Sequence, residues 1–599
     1  MKNSLEFIVL LIWASFSYAQ IQNRTSNFFP RDSMMTITLD SIIVVAKRED
    51  SSKEVFLDPA VKSFYFGDPQ KELTFLPGVI SIVPFLSEST IDNLPSQFTG
   101  MYFGEDMMIP ILGNKTIFQG GASIVNPEFF SLLLEADSYS ASYGNIGGIK
   151  KMVPKNLSKG ISGKVSSDLT DRYISISGKL GYLSSRLGLR QVKVLKPVTE
   201  LIPELTLLPE VIDFEGNLNF SNEEVFLEGY FLNSIQFQNF KDEGMNHFGI
   251  EGIRQDVRHN LYVFVGRYNF EHKIIKFGSS YEYEGQNSCL VFNLGEEEES
   301  RFLRNWTFNL EIYDSKDKFR FGLVSYFFKS KELDGKTLRD ICNIYGEKEF
   351  LIGNFLLNSS ISFSYYKGNL ANSEAVKMTF FLGKYEFVFS LGNYQTFLFD
   401  NSNILGGVLH KKTVDKPNES KQISLSARFN FSCEWMNYID ISTFMKILDV
   451  EFSNEGYVKG ISKGVRLLAK SDLLNSSLSG YLANSKINGH GITGTIDYDF
   501  TYTFTKTLSK NFSLSVQLEA RDGIWSKNQT TGIYSRFENA YFLNLGLFYR
   551  INLFGGMEIN LTGFNLLGKN PELIRYFSGE NLISKRAPTW GNLSLSVRF

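Results

Sequence analysis

Cysteine is almost missing from this 599-residue chain: there are 3, alongside 15 prolines and 5 histidines. Cys289, Cys342 and Cys433 stand far apart, which excludes a disulfide framework and any cysteine-based metal spacing. Long apolar runs are missing too. After residues 7–13 (FIVLLIW) no stretch approaches the 18 or so consecutive apolar residues that a membrane-crossing helix needs. Charge of one sign is also lacking. With 61 basic and 64 acidic residues the net charge is −3, so no field of the kind that recruits nucleic acid is present. Local catalytic signatures are absent: there is no nucleophile elbow, no zinc-protease helix and no triad in usable context. Gly144-Asn145-Ile146-Gly147-Gly148 is not a phosphate loop, because no Gly-Lys-Ser/Thr follows it. These residues imply no cofactor and no metal.

What the chain does hold is aromatic side chains, 15% of the total, with 54 Phe and 28 Tyr. The hydrophobic fraction is 43% and the mean hydropathy −0.11. A transmembrane barrel produces this combination. Lipid-facing apolar residues alternate with polar lumen-facing ones and average out, while aromatic girdles consume Tyr, Phe and Trp. An export signal fits the same destination. Lys2, the apolar run at 7–13 and Ser17-Tyr18-Ala19 read as a cleavable signal over residues 1–19, with the mature chain starting at Gln20.

Period-two alternation carries the strands. It runs through Ile492, Gly494, Ile496, Tyr498, Phe500, Tyr502 and Phe504, with Thr and Asp between them. The pattern recurs from Phe512 to Ala520, from Leu543 to Ile551 and from Leu593 to the terminal Phe599. Upstream it appears around Ile174–Tyr182, Tyr262–Phe270, Phe308–Ile312, Phe319–Phe328, Tyr385–Leu391 and Ile423–Phe431. The connections at 506–511 and 552–556 are short, whereas those at 521–540 and 565–591 are long. Such asymmetry predicts an outer-membrane barrel with its tight turns in the periplasm and its last strand ending there on Phe599. At about 20 residues per strand and connection, residues 160–599 predict about 22 antiparallel strands.

Residues 20–159 read differently, with short strands and with Pro69, Pro77, Pro84, Pro95, Pro110 and Pro127. A barrel this wide needs a stopper. The expectation is a flexible segment over 20–50, an α+β plug domain over 51–159 inside the lumen, and the barrel over 160–599.

In this part the residues resemble a known family, the TonB-dependent outer-membrane receptors. Asp40-Ser41-Ile42-Ile43-Val44-Val45-Ala46 looks like the TonB box, a β-prone stretch suited to pairing with a sheet edge on a partner. Asp68-Pro69 through Leu73, then Leu76-Pro77-Gly78, resembles the early helix and turn of the family's plug. Tyr143-Gly144 and Gly147-Gly148 resemble its closing motif. Tyr102-Phe103-Gly104-Glu105-Asp106 stands, with its order disturbed, where the family often has a strand ending in Asp-Gly. Gly563-Phe564-Asn565-Leu566-Leu567 and the terminal Phe599 match the last barrel strands, and Phe599 resembles the signal read by the barrel-assembly machinery.

The resemblance implies a receptor that imports a scarce small-molecule ligand, such as a ferric siderophore or a cobalamin-like chelate. TonB, driven through ExbB and ExbD, would supply the energy, and outer-membrane lipids would surround the barrel. The alternative is a passive channel or structural surface barrel whose N-terminal domain merely occludes it. A membrane hydrolase, with its Ser, His and acid scattered through the barrel, is a third reading.

Other polar clusters have plainer readings. His247 and His259, with Asp242, Glu243, Glu251 and Asp256, read as solvated residues between strands rather than as a metal site. The run Glu296-Glu297-Glu298-Glu299 reads as a loop tip. Trp306, Trp435, Trp525 and Trp590 read as girdle or loop aromatics. No residue of the sequence singles itself out as a ligand contact.

Overall fold

The computed structural model describes residues 160–599 except 169–170, 194–204, 241–249, 293–294, 333–334, 402–409, 434–435, 453–455, 472–474, 488–489, 492–494, 528–533, 553–555, 569–571, 579–580 and 588. Of residues 1–159 it describes 36–38, 42–45 and the larger part of 53–157. The signal at 1–19, and Asp40, Ser41, Ala46, Gly144, His247 and Trp435, lie outside the described residues.

Twenty-two antiparallel strands close into a barrel. The first, Gly160–Ser167, pairs with the last, Trp590–Arg598, in the register Lys164 opposite Arg598 and Ser167 opposite Leu595. Every other neighbour along the wall is the next barrel strand in the chain, as in an up-and-down meander. Tight turns gather at one rim, among them Gly181-Tyr182, Glu271-His272 and Lys510-Asn511. The opposite rim carries the long connections, including 522–539 and 565–589, each with a small hairpin of its own.

The wall is apolar outside and polar inside. On the strand Gly295–Asp314, Trp306, Phe308, Leu310 and Ile312 stand exposed, while Asn305, Thr307, Asn309 and Glu311 between them are buried. The neighbouring strand Lys273–Phe292 buries Lys276, Ser280, Glu282, Glu284 and Gln286 in the same way. In water this arrangement leaves the apolar face wet; it is stable only where hydrocarbon surrounds the outside. The barrel is therefore a membrane-spanning one.

Several strands outrun the belt. Ile250–Phe270 has 21 residues, Lys273–Phe292 and Gly295–Asp314 have 20 each, and His410–Cys433 has 24. This corrects two readings of the sequence. Glu251, Asp256 and His259 belong to a strand rather than to a loop, and His259 is buried toward the lumen. The run Glu296–Glu299 also lies in a strand, paired with Val291 to Ser288. The connection there is only residues 293–294, so the wall itself, not a long loop, extends beyond the membrane on this side. A third correction concerns the strand expected from Ile492. It begins at Tyr498, because the backbone N–H and C=O of Ile496 are engaged by the Asn93 side chain instead of a neighbouring strand.

Ahead of the barrel, five short strands form a mixed sheet in the order Lys53–Glu54, Phe130–Glu135, Gly148–Pro154, Thr99–Phe103, Ile109–Ile111. Gly148–Pro154 and Thr99–Phe103 run parallel. The apolar residues of this sheet pack onto the inward side of the wall. Met101, Phe103, Ile109 and Phe130 share one core with Tyr230, Leu232, Leu261 and Val263. Ile42–Val45 is the middle strand of a separate three-stranded sheet, between Thr36–Thr38 and Phe56–Leu57.

Candidate functional site

The site is the interface between the N-terminal segment and the inner wall. Its first element is a helix of one turn, Pro69–Glu72. Proline at the first position has its φ already set, and the Asp68 carboxylate caps the turn by accepting from the N–H of Gln70 at 2.9 Å. Leu76-Pro77-Gly78 then reverses the chain. Gly78 has φ +87, and a Cβ there would stand 2.7 Å from Oδ1 of Asp92 and 3.0 Å from Nε of Arg466. Only glycine fits both the backbone and the space.

Asp92 is the centre of the interface. It and Asn93 occupy the left-handed region, with φ of 54 and 62, at the tip of a tight hairpin between Ile91 and Leu94. Short polar side chains tolerate that conformation better than others. The Asp92 carboxylate is fully buried. It receives Nε of Arg466 at 2.8 Å, Nη2 of Arg466 at 2.5 Å and Nζ of Lys446 at 2.8 Å. Burial pushes this carboxyl up, but the two cations more than offset it and hold it below the usual carboxylate range. Arg466 also reaches Asp137 at 2.9 Å, and Lys446 donates to the carbonyl of Ala136 at 2.8 Å. The hydroxyl of Ser462 donates to the Asp92 carbonyl, and the Asn93 amide donates to Ser485. One hairpin tip is thus bound to three consecutive strands, Met436–Phe452, Gly456–Ser471 and Ser476–Ile487.

Two further anchors lie elsewhere on the wall. Glu128 pairs with Lys164 and its carbonyl accepts from Arg186, while Asn126 donates to Glu215. Lys164 drives the Glu128 carboxyl down against the effect of its burial. Around the short helical turn Ala141–Tyr143, Ser140 and Ser142 donate to Glu347, and Ser360 and Ser362 bond the backbone of Ala141. Tyr394 stacks on Tyr139 at 4.3 Å and donates to its carbonyl at 2.7 Å.

The wall around Tyr498–Ser509 and Phe512–Arg521 is held differently. A cavity of about 60 Å³ separates it from the segment, lined by Tyr65, Lys71, Ser81, Asp499, Glu519 and Arg521. That is room for a few water molecules. Hydrogen bonds that span it include one from Gln517 to the Tyr65 hydroxyl at 2.7 Å and one from Arg521 to the Ser81 carbonyl at 2.9 Å.

Comparison in three dimensions identifies the architecture. A point variant of the ferric enterobactin receptor of Pseudomonas aeruginosa matches over 89% of this chain and 96% of its own, with a TM-score of 0.66 and 12% identity. The siderophore receptor of Acinetobacter baumannii matches over 90% and 96%, with a TM-score of 0.67 and 12% identity. The ferric yersiniabactin uptake receptor of Yersinia pestis also covers 90% and 96%, with a TM-score of 0.66 and 12% identity. The chain has the fold of these receptors. At such identity the likeness is one of architecture. No protein-family model matches the sequence, and no curated protein sequence does either.

Within the receptor fold the residues singled out from the sequence take distinct places. Leu76, Pro77 and Gly78 form the turn that abuts Asp92. The Tyr143 carbonyl accepts from the Tyr102 hydroxyl at 2.7 Å. Gly147 presents its carbonyl toward Lys446 at 3.4 Å, and Gly148, with φ +133, opens the central strand of the five-stranded sheet. Phe599 closes the barrel seam. Among the described residues, neither ring nitrogen of His259 has a hydrogen-bond partner, and no group of acidic, histidine and cysteine side chains is arranged to hold a metal. Sequence reasoning missed Asp92, Asn93, Lys446 and Arg466. The one local signal was the Asp-Asn pair, a turn former; nothing local links it to a guanidinium 374 residues away.

Proposed function

We propose that this chain is an outer-membrane receptor that imports a scarce small-molecule nutrient, energised by TonB with ExbB and ExbD. On this reading residues 51–159 are the plug, residues 160–599 the barrel, and the tight-turn rim faces the periplasm. The observation that carries it is the contact between the segment ahead of the barrel and the inner wall of the 22 strands, held by a buried ion pair at Asp92 and a partly exposed one at Glu128. A passive channel has no use for a stopper fixed so firmly. A receptor does, because it has to stay sealed until the plug is moved. Solved structures of the same fold are receptors for ferric enterobactin and ferric yersiniabactin and a ferric citrate transporter. A ferric siderophore or a comparable chelate is accordingly the substrate class. Residues 40–46 would be the handle, since a short β-prone strand pairs readily with a partner's sheet edge.

Site-specific crosslinking tests this. A cysteine placed at Ile42 and another in the periplasmic domain of TonB should form an adduct that increases with a candidate chelate. An Ile43→Pro substitution, which removes a backbone donor from the strand, should abolish it. No adduct under any condition, with the protein confirmed in the membrane and a known receptor crosslinking alongside, would leave the passive barrel as the reading.

A further inference from the structure

Above the apolar belt, toward the long-loop rim, the outward face changes chemistry within one step of the pleat, and it does so in register across four strands. On Ile250–Phe270, Lys273–Phe292, Gly295–Asp314 and Phe319–Glu332 the residues opposite one another are Tyr262, Tyr281, Trp306 and Phe327. This row is the girdle: Tyr281 and Trp306 have ring centroids 4.5 Å apart, and Tyr262 and Tyr281 6.2 Å. Two residues further toward the rim, the row reads Asn260, Tyr283, Arg304 and Lys329. Every member carries a hydrogen-bond donor, and Arg258 stands one step above Asn260 on the same face.

Two features of this row call for an anion. Arg304 and Lys329 are directly opposite each other, an arrangement in which like charges repel. Both are exposed, and among the described residues no ion pair engages Arg258, Arg304 or Lys329. The carboxylates nearest along the face, Asp256 beside Arg258 and Asp340 diagonal to Lys329, form no ion pair with them. The Arg304 guanidinium is also fixed in place, lying 5.5 Å from the centroid of Tyr283 and 5.2 Å from that of Phe302. A stacked guanidinium keeps its N–H fork free for a phosphate.

We infer that Arg304, Lys329, Tyr283, Asn260 and Arg258 bind the phosphate groups of a phosphorylated glycolipid headgroup in the outer leaflet of the membrane. The row spans about 15 Å across four strands, and it sits one pleat step above the aromatic level at which headgroups begin. Free phosphate could satisfy the same donors. The patch, however, is continuous with the lipid-facing belt and faces away from the lumen, which favours a ligand anchored in the bilayer. The assignment of leaflet rests on the proposed orientation; the affinity for phosphate does not.

Native mass spectrometry of the full chain in micelles, titrated with lipid A, measures the binding. Replacing both cations, as Arg304→Gln with Lys329→Gln, should weaken lipid A binding by about tenfold or more, at roughly 1 kcal/mol for each cation at a membrane surface. Lys510→Gln, at the tight-turn rim, should leave it unchanged. Dephosphorylated lipid A should bind wild type as weakly as lipid A binds the double variant, and inorganic phosphate should not displace the lipid. The proposal is overturned if the double variant binds lipid A like wild type, if inorganic phosphate competes fully, or if phosphatidylglycerol binds with equal affinity and equal sensitivity to the substitutions. Sidedness is read separately from labelling of Lys367→Cys by an impermeant maleimide on whole cells. Failure to label would remove the outer-leaflet assignment and the receptor orientation together, whatever the lipid titration gives.

Discussion

Phe599 and Gly163 exchange both of their backbone hydrogen bonds, at 2.8 and 3.1 Å, and the Phe599 ring lies over the bare face of the glycine. A Cβ at Gly163 would overlap that ring. The last residue of the chain therefore covers the first strand of the barrel from outside, as aromatic side chains do beside a glycine at a sheet edge.

Gly163→Val should expel the ring and destabilise the seam by about 1–3 kcal/mol, the usual cost of overpacking. Heat-modifiable gel migration would show a lower temperature for loss of the folded band. Phe599→Ala in the Gly163→Val background should recover part of the difference. No recovery would mean that the ring is not what the valine strikes.

Asp92→Asn removes the anion that two buried cations share, and the expected cost is about 3–5 kcal/mol for the docking of the N-terminal segment. In planar bilayers the variant should show channel-like openings that wild type lacks, while the barrel keeps its melting temperature. Wild-type tightness in the variant would remove Asp92 as the lock.

The same carboxylate sets a pH dependence. Its folded value is depressed below 3.8, so its contribution is complete above the unfolded value and is lost as pH falls through the folded one. The stability gap between wild type and Asp92→Asn should hold constant from pH 7 to about 5 and narrow below about pH 4. A gap that instead closes between pH 6 and 8 would point to another titrating group.

Leu310→Arg, in the middle of the exposed belt, should cost about 2–4 kcal/mol of barrel stability in lipid vesicles. Asn260→Arg, above the girdle, should cost little. Equal effects at the two positions would contradict the placement of the belt.

Gly78→Ala should weaken docking of the segment through its φ of +87 and through contact with the Asp92 carboxylate. Strain of this kind costs on the order of 1–3 kcal/mol. Limited trypsin digestion of the N-terminal segment would report it as faster cleavage, with the barrel fragment intact.

The closed antiparallel barrel was legible because lipid enforces alternation: Phe512 to Ala520 and Leu543 to Ile551 are strands as read, and the tight turn at Lys510-Asn511 is where the spacing put it. Legibility stopped at the edge of the belt. Beyond it the outward face turns polar as well, the apolar-polar alternation fades, and His259 and the Glu296–Glu299 run looked like loop. The interface was less legible still. Lumen-facing residues such as Lys446 and Arg466 alternate like any polar inward residue, so nothing distinguishes those that grip the N-terminal segment. The Asp92-Asn93 pair is a turn former and Leu76-Pro77-Gly78 reads as a turn, but neither gives a hint of the ion pair between the segment and the wall.

Ile43 pairs on one side with Thr38 and on the other with Phe56. A partner strand therefore meets no vacant edge at this residue and has to evict one of the chain's own. Recognition becomes a competition between an intramolecular and an intermolecular strand, with apparent affinity divided by the fraction of time the edge is open. A sheet closed 99% of the time weakens the partner about a hundredfold, and any event that loosens it returns that factor. On the proposed reading of residues 40–46 as the handle, placing Ile43 in the middle of the sheet would withhold that handle while idle, using three strands and no dedicated inhibitor.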